Sequence, residues 1–286
     1  MSAVARLIKT KANLCCAYCA KTSFNVLAEA SLRFASLGSG SSGNATLVAW
    51  QDTAILIDCG FSAKEALARM ARLGFDSAKL KAIFVTHEHG DHSKGVAPLA
   101  RKLNIPVYMS AGTEAAMDFG RLPVLHRIQA DERVDIDGLE VLPVTVAHDA
   151  REPLQYVMTY QSLRLGVLTD LGSLTPAVYK AYDALHGLLL EANHDLRMLA
   201  YGPYPPSLQE RVRAPWGHLN NQQCAQLLRE TDLSQLQHLV IGHISRKNNH
   251  LDCVKEAVAA EVAELPSVRY ACQDEGVPWL ELRTAP

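Results

Sequence analysis

The run His87-Glu88-His89-Gly90-Asp91-His92 directly follows an apolar segment at residues 80–86 and places four potential metal ligands within six residues. Chance would give this pattern about 8 × 10⁻⁴ times in a chain with 11 His among 286 residues. It constrains the fold, because ligands this close in sequence converge only when a strand fixes the direction in which they leave it. Side chains alternate along extended backbone, so His87 and His89 point to one side while Asp91 and His92 turn toward a neighbouring point. Two adjacent metal ions are the expected occupants. Neutral imidazoles with a carboxylate suit Zn²⁺ first, and Mn²⁺ or Fe after it. A dinuclear site needs further ligands. His148, Asp170 and His243 each follow a later strand-like segment, at residues 139–145, 164–169 and 238–241, where a loop can reach a shared sheet edge.

The other segments are consistent with a layered protein. Strand-like runs at residues 32–37, 45–49 and 54–58 come first, a helix is expected from Ser62 to near Gly74, and helices and strands then alternate to the end of the chain. Sheet packed on sheet with helices outside is the expected α/β arrangement. The glycine-serine run 38–44 lacks the Lys of a phosphate-binding loop and reads as a turn. Lys+Arg 28 against Asp+Glu 30 leaves a net charge of −2, so no global positive field gathers nucleic acid or anionic lipid. No apolar stretch approaches the roughly 18 residues of a membrane span. An odd count of 7 Cys points to a reducing cytoplasm, and Cys16 with Cys19 has no second pair nearby to complete a zinc site. Residues 1–31 are basic, free of acid until Glu29, and expected to be a poorly ordered extension, with Leu32 as a candidate true start. Residues 32–286 are expected to form one domain.

The H-x-H-x-D-H loop, with Asp58 ending an earlier strand and His148, Asp170 and His243 later, resembles the metallo-β-lactamase superfamily. The segments Ser36 to Asn44, Glu191-Ala192-Asn193-His194-Asp195, Gly217-His218-Leu219-Asn220-Asn221 and His243 to Asn249 resemble its YycJ/WalJ branch. The resemblance implies a four-layer αββα sandwich holding two divalent ions. It implies His87, His89 and His148 on one ion, Asp91, His92 and His243 on the other, Asp170 bridging, and Asp58 supporting the ligands from behind. The implied activity is hydrolysis of a phosphodiester, DNA in an exonuclease-like reaction or another nucleic acid, by a hydroxide held between the ions.

Ligands alone do not choose the substrate. An acyl hydrolase such as a thioesterase or lactonase, and a non-catalytic metal-binding regulator, remain alternatives. Di-iron oxygen-reducing relatives commonly carry an acid where His89 stands, which disfavours an oxidoreductase. Ser245, Arg246, Lys247 and Asn248, directly after His243, are candidate donors to a phosphate oxygen. His218 is the candidate general acid, acting with Asp91 and Asp170 in catalysis. Asn193 and His194 are expected to line the pocket. Tyr201, Tyr204 and Trp216 are candidate base-stacking residues, and His126, His186, His238 and His250 are read as structural.

Overall fold

The computed structural model describes residues 31–284, so the expected N-terminal extension and its cysteines Cys15, Cys16 and Cys19 lie outside the described residues, apart from Ser31. Ser31 itself begins a strand, and its hydroxyl donates to Glu281 at 2.6 Å. The first half runs β1 (Ser31–Gly38), β2 (Ala45–Trp50), β3 (Thr53–Ile57), α1 (Ala63–Arg72), β4 (Leu80–Phe84), α2 (Gly90–Ser93), α3 (Val96–Leu103), β5 (Val107–Met109), α4 (Ala111–Ala116) and β6 (Leu125–Arg127). The second runs β7 (Val134–Ile136), β8 (Leu139–Thr145), β9 (Leu154–Tyr160), β10 (Leu163–Leu168), α5 (Pro176–Ala181), β11 (Gly187–Glu191), α6 (Leu196–Tyr201), α7 (Pro206–Arg213) and α8 (Asn221–Glu230). It closes with β12 (His238–Gly242), α9 (Leu251–Val262), β13 (Val268–Tyr270) and β14 (Val277–Arg283).

These strands form two seven-stranded sheets, ordered β14-β1-β2-β3-β4-β5-β6 and β13-β12-β11-β10-β9-β8-β7. Central strands such as β2 and β11 are buried along their whole length, as strands covered on both faces must be. Between the sheets, Phe34, Ile55 and Phe84 meet Tyr156, Leu165 and Val240. Outside the first sheet, Met70 of α1 and Leu99 of α3 pack on Leu56 and Ile83. Outside the second, Val178 of α5, Leu228 of α8 and Val258 of α9 cover Leu188 and Leu239. The layers are therefore α, β, β, α, the sandwich expected from the sequence. No helix among the described residues is long and apolar enough to cross a membrane.

Local chemistry sets the element ends. The Ser62 hydroxyl accepts from the Glu65 amide and starts α1, as its spacing suggests, but Glu65 turns to pair with Arg69 at 2.7 Å instead of reaching back to the cap. The short elements β5, β6, β7, α2, α4 and α6 were not expected. Runs of 3 to 6 residues carry too little periodicity to read, and their pairing partners supply the register.

One region of backbone fixes the loop after β4. Asn44 donates its amide to the Asp91 carbonyl at 2.8 Å, Cys59 donates to the His92 carbonyl at 2.8 Å, and Gly60 donates to Asn44 at 2.8 Å. The Tyr156 hydroxyl donates to the Val85 carbonyl at 2.6 Å and pins the strand end itself. Gly60 lies so close to this loop that a Cβ there would stand 1.7 Å from the Asp91 carbonyl oxygen. Gly60→Ala should therefore displace the loop and cost about 1–3 kcal/mol, the usual penalty of overpacking. Denaturant midpoints measure this, and a variant as stable as the parent would contradict the contact.

Candidate metal centre

The strand end at Phe84 releases Thr86 and His87 into the interior, and a relay of hydrogen bonds decides which ring nitrogens remain available. The buried Asp58 carboxylate accepts from the Thr86 amide at 2.8 Å and from its hydroxyl at 2.8 Å. With its proton so committed, the Thr86 oxygen, 2.9 Å from Nδ1 of His87, acts as acceptor and leaves His87 Nε2 with a free lone pair. Oδ2 of Asp58, which takes the Thr86 hydroxyl, also lies 2.7 Å from Nδ1 of His92, so that Nε2 is the atom this ring turns toward Asp170. Nδ1 of His148 donates to the Gly217 carbonyl at 3.0 Å. The outcome is a convergence of lone pairs: His87 Nε2 stands 3.1 Å from His89 Nδ1, which stands 3.3 Å from His148 Nε2. Donors on a tetrahedral zinc at about 2.0–2.1 Å stand about 3.3 Å from one another, so this trio fits such an ion.

Beside it, Asp170 occupies the interior with only 2% exposure. Its Oδ2 lies 3.0 Å from Nε2 of His92 and 3.1 Å from Nδ1 of His243. Neither Asp170 Oδ2 nor His243 Nδ1 has a hydrogen-bond partner, though both are buried. Orphaned polar atoms of this kind, facing one another, are what a cation site presents when described by its protein atoms alone. Asp170 joins His87 and His92 in one group of convergent donors and Glu191, His218 and His243 in another.

The electrostatics agree. Burial works against charge on Asp170, yet His243 and His92 hold it well below the usual carboxylate range. Burial likewise opposes charge on His92, but Asp170 and Asp58 raise it well above its ordinary value. His243 is lifted against burial by Asp170 to about 10. His87 is driven well below its ordinary value by burial and by the neighbouring His92, which outweigh the pull of Asp170, and it stays a neutral donor. Asp58, Asp170 and His243 all have left-handed backbone, with φ of 61°, 55° and 50°, a conformation that L-residues adopt at a cost the surrounding structure must offset.

A cavity of about 360 Å³ opens above these groups, and His89, Asp91, Asp170, His218 and His243 all line it. Asp91 stands 3.6 Å from His92 Nε2 and 3.4 Å from the Asn44 amide nitrogen, so it faces the cavity beside His92. His243 instead meets Asp170 and Glu191. Asn193 and Ser245 also line this cavity, whereas Arg246 and Lys247 line a second one next to it. His194 and Asn248 line neither. Both are buried, the Asn248 carbonyl accepting from the Asp195 amide at the start of α6 and the His194 carbonyl from the Asn221 amide at the start of α8, while both ring nitrogens of His194 and Oδ1 of Asn248 meet no hydrogen-bond partner among the described residues.

Several residues of the site were not singled out by the sequence. Glu191, fully buried at the end of β11, lies 2.7 Å from Nδ1 of His218 and 3.1 Å from Nδ1 of His243, and accepts from the amides of Leu171 and Leu219 at 3.2 Å. It is held to about 2 against burial by His218, and it raises His218 in return. Arg211 of α7 brings a guanidinium to the cavity, paired with Asp149, which itself approaches His148 Nε2 to 3.5 Å. The signal for Glu191 was present, since it is a carboxylate ending an apolar strand, as Asp58 and Asp170 follow theirs. Nothing in the sequence singled out Arg211, because only the packing of α7 brings it to the cavity.

The described geometry has relatives. Residues 53–244 match the family model described as a beta-lactamase superfamily domain. The chain is 32% identical over 239 residues to the exodeoxyribonuclease YycJ of Bacillus anthracis, covering 82% of this chain and 90% of that protein. It is 29% identical over 247 residues to the exodeoxyribonuclease WalJ of Streptococcus pneumoniae, covering 82% and 92%. Among solved structures, the metallo-beta-lactamase fold protein YhfI from Bacillus subtilis superposes with a TM-score of 0.66 at 16% identity, over 88% of this chain and 99% of that one.

The Asp58 relay gives a test. Asp58→Asn keeps the side-chain shape but removes the charge that fixes His92 and Thr86, so metal affinity should fall about 10–100-fold, as for other residues that orient ligands. Competition with a chromogenic chelator measures the affinity. A variant that folds and binds metal as tightly as the parent would show that the relay does not set the ligands.

Proposed function

The chain belongs to the metallo-β-lactamase superfamily, and from that membership we propose that it is a metal-dependent phosphodiesterase acting on nucleic acid, DNA foremost, from a strand end. The observation that carries the reading is the meeting, in one cavity, of His89, Asp170 and His243 from the convergent donor groups with the Arg211 guanidinium and with His218, which Glu191 backs from the interior. Divalent ions, Zn²⁺ by the spacing of the imidazole trio, would when bound supply Lewis-acid polarisation of the phosphoryl group and a water of lowered pKa. His87, His89 and His148 would hold one ion, Asp91, His92 and His243 the other, with Asp170 shared.

The remaining steps belong to this chain's own groups. Arg211, kept in place by Asp149, offers a planar pair of donors to non-bridging phosphate oxygens. Asn193 donates its amide to the His243 carbonyl at 3.2 Å and steadies the ring beside the substrate. His218 has Nδ1 committed to Glu191, which leaves Nε2 as the atom that gives its proton to the departing oxygen. The same carboxylate keeps that proton in place at neutral pH. The guanidinium favours an anionic diester over a neutral ester or lactone. The names of the YycJ and WalJ relatives support DNA and exonucleolytic cleavage. Cys59, Cys224, Cys253 and Cys272 are all free thiols, which suits the reducing cytoplasm in which we place the protein.

A substrate panel of bis(p-nitrophenyl) phosphate, single- and double-stranded DNA, RNA and thioesters tests the class. Phosphodiesters should be cleaved, and chelator should abolish the reaction. A thioester cleaved faster than every phosphodiester would overturn the reading in favour of an acyl hydrolase. For the proton donor, His218→Ala should slow DNA hydrolysis about 10²–10⁴-fold while barely affecting the nitrophenyl diester, whose leaving group needs no proton. Equal losses on both would remove His218 from that role.

A further inference from the structure

The second cavity, about 470 Å³, adjoins the metal centre and shares Ser41, Tyr204 and Ser245 with it. Its volume lies within the range of small-molecule sites. Its walls differ from those of the first. Ile244, Leu251, Ala271 and the rings of Tyr204 and Tyr270 supply apolar surface, and Leu251 is 38% exposed at the start of α9. Arg246 and Lys247 line the same space, as does the His250 ring, so two cations stand beside an apolar face. Arg246 pairs with Asp274 at the surface. Among the described residues Lys247 makes no ion pair, and it stands 5.7 Å from the ring centroid of Tyr204, a residue that lines both cavities.

The cavity is built, not incidental. Gln273 accepts from the Ser42 amide at 2.7 Å and donates to the Gly43 carbonyl at 2.6 Å, which ties the glycine-serine turn to the segment before β14. Gly40 has a φ of 145°, which L side chains rarely adopt, so the turn closes this way only with glycine there. The turn that the sequence left without a function is thus one wall of the cavity, and His250, read as structural, is another.

We propose that this cavity is a nucleotide subsite. It seats the base and sugar next to the scissile phosphate, between Tyr204, Tyr270 and Leu251, while the following phosphate meets Lys247 and Arg246. Continuity with the metal centre argues for it, as does an apolar face edged with cations, because a nucleotide is an apolar ring bearing an anion. A base that enters must leave its stack, so single strands and frayed ends are the accepted substrates and an intact duplex is refused. The proposal rests on the phosphodiesterase reading and specifies which part of the substrate is recognised.

The test uses the metal-loaded full chain with three small substrates: bis(p-nitrophenyl) phosphate and the 3′- and 5′-p-nitrophenyl phosphate esters of thymidine. Leu251→Glu places a carboxylate on the apolar wall, and Leu251→Trp fills the space. Both should raise KM for one of the thymidine esters about tenfold, within the usual worth of one stacked base, and leave the simple diester unchanged. The ester affected identifies the flank of the phosphate that the subsite holds. Parallel losses on all three substrates, or no loss on any, would overturn the subsite and leave the phosphodiesterase reading standing. Should the parent cleave none of them, that reading falls, and equilibrium dialysis with dTMP decides the subsite alone. Binding weakened by both variants supports it, and binding unchanged in either overturns it.

Discussion

A carboxylate buried between two imidazoles is the constraint around which the molecule is arranged. Asp170 is 2% exposed, and a lone ionised group at such depth costs several kcal/mol. The cost is offset only if positive charge is brought to it, and His92 and His243 stand within 3.1 Å to do so. With protein atoms alone, both rings are held protonated by the acids around them. Divalent cations would take over that role and release the protons, which couples metal binding to proton release and to the order of the strand ends.

The sandwich makes this possible by aiming strand ends at one place. β3, β4, β5 and β6 are mutually parallel in one sheet, as are β10, β11, β12 and β13 in the other. Asp58, His87, Asp170, Glu191 and His243 sit at or just beyond the carboxyl ends of β3, β4, β10, β11 and β12. Ligands of open α/β sheets bind at that end of parallel strands. Three of the five need left-handed backbone to turn inward, so local strain is distributed at the site and held there by two packed sheets. The connections then determine what the centre can reach. α7 contributes Arg211 to one cavity, and the segment between β12 and α9 contributes Lys247 to its neighbour.

How much was legible in the sequence follows from how local each feature is. The H-x-H-x-D-H loop is local, and so are the apolar runs that became β2, β3 and β11, which is why the layers and the main donor set could be read. His148, Asp170 and His243 were readable at one remove, because each stands where an apolar run stops. Glu191 obeyed the same rule and was passed over, hidden inside a longer polar motif. Thr86 and Asn44 were beyond reach, since neither residue type announces a relay and only the fold brings Thr86 against Asp58 and Asn44 against His92. His194 and Asn248 show the limit of reasoning from neighbours in sequence: both are buried outside the two cavities, and their backbone carbonyls, not their side chains, accept where helices begin. The three-residue edge strands β6 and β7 were invisible for a similar reason, since their register comes from a neighbour.

Crystals grown with zinc or manganese and measured at the absorption edge of the metal test the central claim most directly. The account predicts two anomalous peaks about 3.5–4 Å apart, one within the His87, His89 and His148 trio, one beside His92, and Asp170 between them. A single peak in crystals of protein that remains fully active, or two peaks that Asp170 does not touch, would contradict it.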